Sequence, residues 1–443
     1  GTSIHPAAAT PDWPKRRRAA TCWPMRRHHL TLFAPALLAI TACSGLDSDM
    51  AIEADAIHAR CLTLDTHKDI SSQLAPEQLP SDPATRQRYQ ESYDPTVRGS
   101  QQVDFVKMRE GEYDCAFFIV YTPQRKLTDA GYQGAYVEAN KKFAAIHRMC
   151  RLYPDHIGLA TTAADVERLH SEGKLIACIG IENGYPMGLD LQRIQEFHEK
   201  GARYMGIAHN GHTQLGDSHT PAAPMHNGLS DLGVQAIAEM NRVGIMVDVS
   251  HASKNTMLHA VKVSKAPVIA SHSGASAVNK HSRNLDDEQL RAIAENNGVV
   301  QCVALASFLK SNPERREAIG ALRKTLGIAR GTTGDLSADE LQTRFAKFRE
   351  QSKALDAQYP AANVSTYVDH IEHIIKIAGI DHVGIGSDFD GGGGITGWQD
   401  ASESRNVTRE LVRRGHSEAD IQKIWSGNLL RVWRDVEAVA ASS

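Results

Sequence analysis

The stretch 61–69 reads Cys61-Leu62-Thr63-Leu64-Asp65-Thr66-His67-Lys68-Asp69, a short apolar run that passes straight into an imidazole and a carboxylate two residues apart. Such a run is strand-like, and in extended backbone side chains two apart share a face. His67 and Asp69 therefore converge on one point while Lys68 turns away. A doubly wound nucleotide-binding sheet usually carries a glycine-rich phosphate turn after its first strand. Here that position holds Asp65-Thr66-His67 instead.

Outward from this strand, at 61–65, seven further apolar runs follow at 115–121, 176–181, 203–208, 244–249, 267–270, 298–305 and 382–385. Helix-like segments at 132–153, 189–200, 231–243, 253–263, 286–296 and 366–378 fill most of the gaps. Strands without clean polar alternation are covered on both faces, and alternation with helices implies a parallel sheet. Eight such units predict an α/β fold, a (β/α)8 TIM-like barrel, with an open doubly wound sheet as the alternative. The charged, helix-prone stretch 306–365 is an insertion before the last strand, either a lid, an interface or a solvated excursion. The polar stretch 71–99, with Pro76, Pro80, Pro83 and Pro95, reads as a long first loop. Segments 403–414 and 417–436 read as helices packed outside the barrel. The barrel domain is placed at 55–437, with a tether at 44–54 and a tail at 438–443.

In such barrels the carboxyl ends of the strands carry the chemistry. At those ends stand His67 and Asp69, then Glu182, His209, His251, His272 and Asp388, in strand order. A lone HxD is common by accident, a lone histidine is more often a satisfied core residue, and Asp388 alone could cap a helix. The shared position of all seven is what points to metal. His67 with Asp69 makes a chelating pair suited to Zn2+, or equally to Mn2+, Co2+ or Fe2+. His251 and His272 suit a second ion, Glu182 has two oxygens with which to bridge, and Asp388 is the natural general base or proton shuttle. The glycines 391–394 lack the lysine and hydroxyl of a P-loop and read as backbone passing close to the site. No GxSxG or HExxH motif occurs, and His370 and His373 read as a solvated or packed helix face.

Composition narrows the class. The chain has 443 residues, 42% hydrophobic and 23% charged, enough for a large core, and its net charge of -3 gives no general pull toward nucleic acid. No apolar run is long enough to span a bilayer as a helix. From Met25 the sequence MRRHHLTLFAPALLAITACSG has a basic start, an apolar stretch and small residues before Cys43, which is signal-peptide grammar. Ile40-Thr41-Ala42-Cys43 resembles a bacterial lipoprotein box, so Cys43 is the expected lipidation site. Ser44 in place of an aspartate favours the outer membrane, facing the periplasm, with membrane contact only through that N-terminal anchor. Residues 1–24 precede the more natural start at Met25. Cys61, Cys115, Cys150, Cys178 and Cys302 form no CxxC spacing and are expected to be mostly buried thiols rather than a disulfide framework.

Asp65-Thr66-His67-Lys68-Asp69, Gly180-Ile181-Glu182-Asn183-Gly184, Val247-Asp248-Val249-Ser250-His251, Ser271-His272-Ser273, Ser282-Arg283-Asn284 and Gly386-Ser387-Asp388-Phe389-Asp390-Gly391 together resemble the membrane (renal) dipeptidase family of the amidohydrolase superfamily. The resemblance runs through the closing Gly427-Asn428-Leu429-Leu430-Arg431-Val432. It implies a zinc-dependent dipeptidase with two Zn2+ per chain and a hydroxide bridging them, acting on small dipeptides, often with a C-terminal D-residue. On this resemblance His67 and Asp69 bind one zinc, His251 and His272 the other, and Glu182 bridges. His209 stabilises the oxyanion and touches substrate, Arg283 contacts the substrate and its carboxylate, and Asp388 handles the proton. Arg283 also makes independent sense, since a free carboxylate needs a fixed bidentate cation. A homodimer is a further implication. Lys68 and Gly184-Tyr185-Pro186 depart from the family's usual residues, which bears on substrate choice. The alternatives are the same barrel acting on another amide (a β-lactam, an N-acyl amino acid or a peptide metabolite in maturation), or a non-catalytic envelope binding protein.

Overall fold

The computed structural model describes residues 38–328 and 359–443, with backbone alone over 38–47, and scattered positions between 344 and 358. The Cys43 side chain, most of the signal segment and the middle of the insertion lie outside the described residues.

Eight strands follow one another around a sheet in the order β1 (Leu64–Asp69), β2 (Cys115–Tyr121), β4 (Leu175–Glu182), β5 (Ala202–Gly206), β6 (Met246–Asp248), β7 (Ile269–Ser273), β8 (Val299–Val303) and β9 (Val383–Gly386). Every pairing is parallel. The ring closes where Asp69 N donates to Phe389 O at 2.8 Å and Asp388 N to His67 O at 3.1 Å. The expected (β/α)8 barrel is therefore the fold. A ninth strand, β3 (Ile157–Leu159), pairs only with β4 outside the ring. It is three residues long, too short to leave a periodic signal.

Alternation along the strands divides two apolar layers. Cys115, Phe117 and Ile119 of β2 face inward with Cys178, Tyr204 and Met246, while Ala116, Phe118 and Val120 face the surrounding helices. Leu429, Trp433 and Val436 of the C-terminal helix Asn428–Ala441 join the inner layer and stopper the barrel at its amino-terminal end. The other end is left for chemistry. Gly180 is needed here, because a Cβ would stand 2.2 Å from the ring of Tyr204. That ring crosses the barrel to donate from its hydroxyl to Thr66 O at 2.9 Å.

Several expectations need correction. The first strand begins at Leu64 and runs through Asp69, so His67 and Asp69 lie within it rather than beyond it. The pairing with β2 at Lys68 and Asp69 carries the extended backbone onward past a bulge. The stretch 71–99 contains a helix, Pro83–Tyr93, whose N-cap Asp82 accepts from Thr85 N and whose first position is Pro83. Proline there starts a helix rather than marking a loop. The segment 417–436 is three pieces, Glu418–Gln422, a π-helical stretch Lys423–Gly427 and Asn428–Ala441. The last piece continues through most of the tail expected at 438–443. Residues 44–54 belong to a helix, Leu38–Arg60. Asp55 pairs with Arg409 at 2.7 Å, and His58 bridges Thr408 Oγ1 and Gly111 O.

The five cysteines of the described residues are free, and Cys115 and Cys178 approach to 3.7 Å as buried thiols. His370 is packed, its Nδ1 accepting from Ala275 N and its Nε2 donating to Leu309 O. It thereby ties the insertion's first short helix, Ala306–Leu309, to the end of β7. No described helix is long and apolar enough to cross a membrane.

Candidate active site

The open end of the barrel gathers all seven strand-end residues. Glu182 closes β4, His272 lies within β7, and His209, His251 and Asp388 follow β5, β6 and β9. The backbone bends sharply to aim two of them. His251 has φ 64° and Asp388 φ 62°, left-handed conformations that cost a non-glycine residue about 1–3 kcal/mol. Neighbouring hydrogen bonds hold these turns, with Ser250 N on Asp248 Oδ1 at 2.9 Å and Gly393 N on Asp388 O at 2.7 Å. Strain kept at two such residues is characteristic of a functional site.

Glu182 is the hub. Its Oε1 lies 2.9 Å from His251 Nε2, 3.5 Å from His272 Nε2 and 3.7 Å from His209 Nε2, and its Oε2 lies 3.7 Å from His67 Nε2. His67 Nε2 is also 3.6 Å from Asp69 Oδ2 and 3.9 Å from Asp388 Oδ1. Three overlapping donor groups result: His67 with Glu182 and His272, Glu182 with His209 and His251, and His67 with Asp69 and Asp388.

The far sides of two rings are already engaged. His67 Nδ1 donates to the Tyr204 hydroxyl at 3.1 Å. His272 Nδ1 donates to Ser271 Oγ at 2.9 Å, which donates on to Asp248 Oδ2 at 2.8 Å. These bonds leave each Nε2 as a lone pair directed at the cluster, the usual arrangement behind metal-ligating histidines. His67 Nε2 is buried without a hydrogen-bond partner, and the Nε2 atoms of His251 and His272 face each other at 3.0 Å.

Electrostatics point the same way. Burial pushes His251 and His272 well below the ordinary imidazole range, keeping them neutral. Burial also pulls His67 down, but the carboxylates of Glu182 and Asp69 outweigh it and raise His67 well above that range. The cluster thus calls for positive charge between Asp69 and Glu182. Neutral imidazoles, carboxylates and an orphaned buried nitrogen fit a divalent transition metal. Burial pushes the Asp388 carboxyl well up, with Asp69 and Glu182 adding to it, so this group is fitted to carry a proton.

Around the cluster opens a cavity of about 610 Å³, lined among others by Tyr121, Lys142, His209, Phe308 and Gly391. The glycine run passes close, as expected: a Cβ on Gly391 would stand 2.2 Å from Asp69 Oδ2 and 2.4 Å from Asp388 Oδ1. Arg283 is buried, its Nη2 donating to His272 O at 3.0 Å and its Nε without a partner. Burial lowers its pKa to about 10, and it stays charged at neutral pH. Lys68 turns away as expected and pairs with Asp390 at 3.1 Å. Sequence reasoning missed Tyr121, whose ring lies 4.8 Å from that of His209, and Lys142, which comes from the helix after β2. It also missed Tyr204, Asp248 and Ser271 behind the histidines of the cluster. Tyr121 ends β2 where six of the other seven ring strands, all but β8, end in or run into metal-competent groups, and that contrast is the signal that could have singled it out.

Comparison with known proteins gives a consistent result. A family model described as membrane dipeptidase (peptidase family M19) matches residues 52–443. The dipeptidase aclJ of Aspergillus oryzae is 33% identical over 77% of this chain and 71% of its own length. The dipeptidase tcpJ of Claviceps purpurea is 31% identical over 79% of this chain and 73% of its own. Among solved structures, the probable dipeptidase PvdM from Pseudomonas aeruginosa superposes with a TM-score of 0.74 at 29% identity, covering 89% of this chain and all (100%) of that one.

Proposed function

The chain belongs to the membrane dipeptidase family, peptidase family M19, and is a peptide-bond hydrolase; from that premise we propose that it cleaves small dipeptides at a centre of two divalent ions, zinc by preference. The observation that carries the metal count is the overlap of the three donor groups, two meeting at Glu182 and two at His67. His67 and Asp69 would hold one ion, His251 and His272 the other, with Glu182 between them. Bound there, the ions would lower the pKa of a water and polarise the scissile carbonyl.

The remaining work falls to this chain's side chains. Asp388, lifted by burial, takes a proton from the attacking water and returns it to the leaving amine. His209, whose Nε2 points to Glu182 at 3.7 Å, is placed to donate to the oxyanion that develops on the carbonyl. Burial lowers the His209 pKa, so the ring acts as a neutral donor. Arg283 offers a fixed cation for the C-terminal carboxylate. That carboxylate requirement favours free dipeptides over internal peptide bonds, and a D-residue at the C-terminal position is part of the proposal.

The test is hydrolysis of L-Ala-L-Ala and L-Ala-D-Ala by protein of known metal content. Turnover of either that disappears on chelation and returns with zinc supports the reading. Metal-loaded protein inert on both would move the search to other amides. Residues 25–43 support a periplasm-facing lipoprotein. Radiolabelled palmitate incorporated by the wild-type chain and not by Cys43→Ala would establish the anchor, and equal labelling would refute it.

A further inference from the structure

Three lysines are buried among the described residues: Lys68, Lys107 and Lys142. Two have their charge met. Lys68 pairs with Asp390 at 3.1 Å and donates to Gln101 Oε1, while Lys107 pairs with Asp104 at 2.9 Å and donates to Gly99 O. Lys142 is the exception. The residue is 9% exposed, yet no described carboxylate or carbonyl lies within ion-pair or hydrogen-bond distance of its ammonium. What it touches is the face of Tyr121, whose ring centre is 5.4 Å from Nζ. Both side chains line the cavity that holds the metal-ligand cluster.

Burying an ammonium without a partner is costly, and burial depresses the Lys142 pKa accordingly. Asp69, Glu182 and Glu138 act on it only from a distance; the first two are committed to the histidine cluster, and Glu138 pairs with Lys141 at 3.3 Å. The ammonium therefore has no anion of this chain left to meet, and it faces the space a substrate enters.

Its location says which part of a substrate it would meet. Lys142 lies on the helix Asp129–Leu152 that follows β2, and Arg283 lies in the loop that follows β7. In the ring order β1-β2-β4-β5-β6-β7-β8-β9 these two strands stand opposite each other. A dipeptide whose C-terminal carboxylate is held by Arg283, with its peptide bond at Glu182, extends its N-terminal residue toward Tyr121 and Lys142.

We propose that Lys142 is a specificity-determining residue that binds an acidic side chain on the N-terminal residue of the dipeptide, so that the enzyme favours substrates beginning with glutamate or aspartate. The inference rests on the dipeptidase reading above. Tyr121 forms the wall on which the stem of that side chain lies, and the ammonium meets its carboxylate.

The test compares kcat/KM for Glu-Ala with Gln-Ala, and for Ala-Glu with Ala-Gln, each pair differing only in a carboxylate against an amide. The metal-loaded wild-type, Lys142→Met and Lys142→Arg proteins are all assayed. A buried charge-assisted pair predicts a Glu-Ala to Gln-Ala ratio of about ten or more in the wild type. That ratio falls to about one in Lys142→Met and partly returns in Lys142→Arg, with little discrimination between Ala-Glu and Ala-Gln. Because the readout is a ratio within each protein, a general loss of activity does not mimic it. Equal use of Glu-Ala and Gln-Ala by the wild type, or a preference that survives in Lys142→Met, overturns the inference and leaves the dipeptidase reading intact. Failure of the metal-loaded wild type on all four while it cleaves L-Ala-L-Ala or L-Ala-D-Ala overturns the inference alone; failure on all six dipeptides overturns both.

Discussion

His272 Nδ1 donates to Ser271 Oγ at 2.9 Å, which leaves the opposite nitrogen of the ring as a lone pair 3.5 Å from Glu182 Oε1. The serine passes its own proton to Asp248, so the ring's tautomer is fixed from two residues away. Ser271→Ala removes that constraint without touching a residue of the cluster. Metal affinity, read by competition with a chelator, should fall about 10–100-fold. An unchanged affinity would show that the serine packs and does not orient.

Asp388→Asn keeps the shape of a buried side chain while removing its proton chemistry. The kcat on a good dipeptide should fall by about 10²–10⁴ with metal content retained. A variant that turns over normally would remove Asp388 from the mechanism. One that loses its metal would make it a ligand in place of a shuttle.

Gly391→Ala places a methyl against Asp69 Oδ2 and Asp388 Oδ1 together, at 2.2 and 2.4 Å before relaxation. The carboxylates must give way, so kcat/KM should drop at least about tenfold, while the midpoint of thermal unfolding moves little, since an added methyl displaces side-chain ends and not the backbone. Gly134→Ala is the contrast. In the helix Asp129–Leu152 a Cβ there meets nothing within 4 Å, and stability should rise by about 0.5–1 kcal/mol with activity unaltered.

These cases show what was legible in sequence. The metal-competent residues were visible because strand ends fall at regular places in a repeating strand-helix pattern and because histidine is rare there by chance. The close approach of Gly391 was legible as backbone near the site, though the clash distances were not. Lys142 was invisible, since one lysine among the polar residues of a 24-residue helix carries no mark of its burial. Tyr204 and Asp248 were hidden for a related reason. Their roles depend on pairings between strands, Tyr204 across the barrel to Thr66 and Asp248 to Ser271 on the neighbouring strand, that no local pattern encodes. The helix Pro83–Tyr93 was lost because Pro83 and the prolines flanking the helix were weighed as loop markers, although Asp82 followed by Pro83 is a helix start.

Stability at low pH should depend on Glu410, which joins Arg413 at 2.6 Å and Arg414 at 2.8 Å. Burial alone would raise its pKa, but the two guanidinium groups outweigh burial and hold it at about 2, below the ordinary 4.5. A depressed carboxylate pKa stabilises the fold above about pH 4.5, and that contribution disappears as pH falls through about 2. The thermal midpoints of wild type and Glu410→Gln should therefore differ at pH 6 and converge toward pH 2. A gap that stays constant over that range contradicts the assignment.

The central claim is that the mouth of this barrel is a two-metal centre organised by Glu182. Its most direct test is metal content per chain, by elemental analysis of protein reconstituted with zinc and freed of loosely bound ions, in wild type and Glu182→Ala. The account predicts about two zinc ions per wild-type chain and at most one in the variant. No zinc retained by the wild type, or the same content in both proteins, would contradict it.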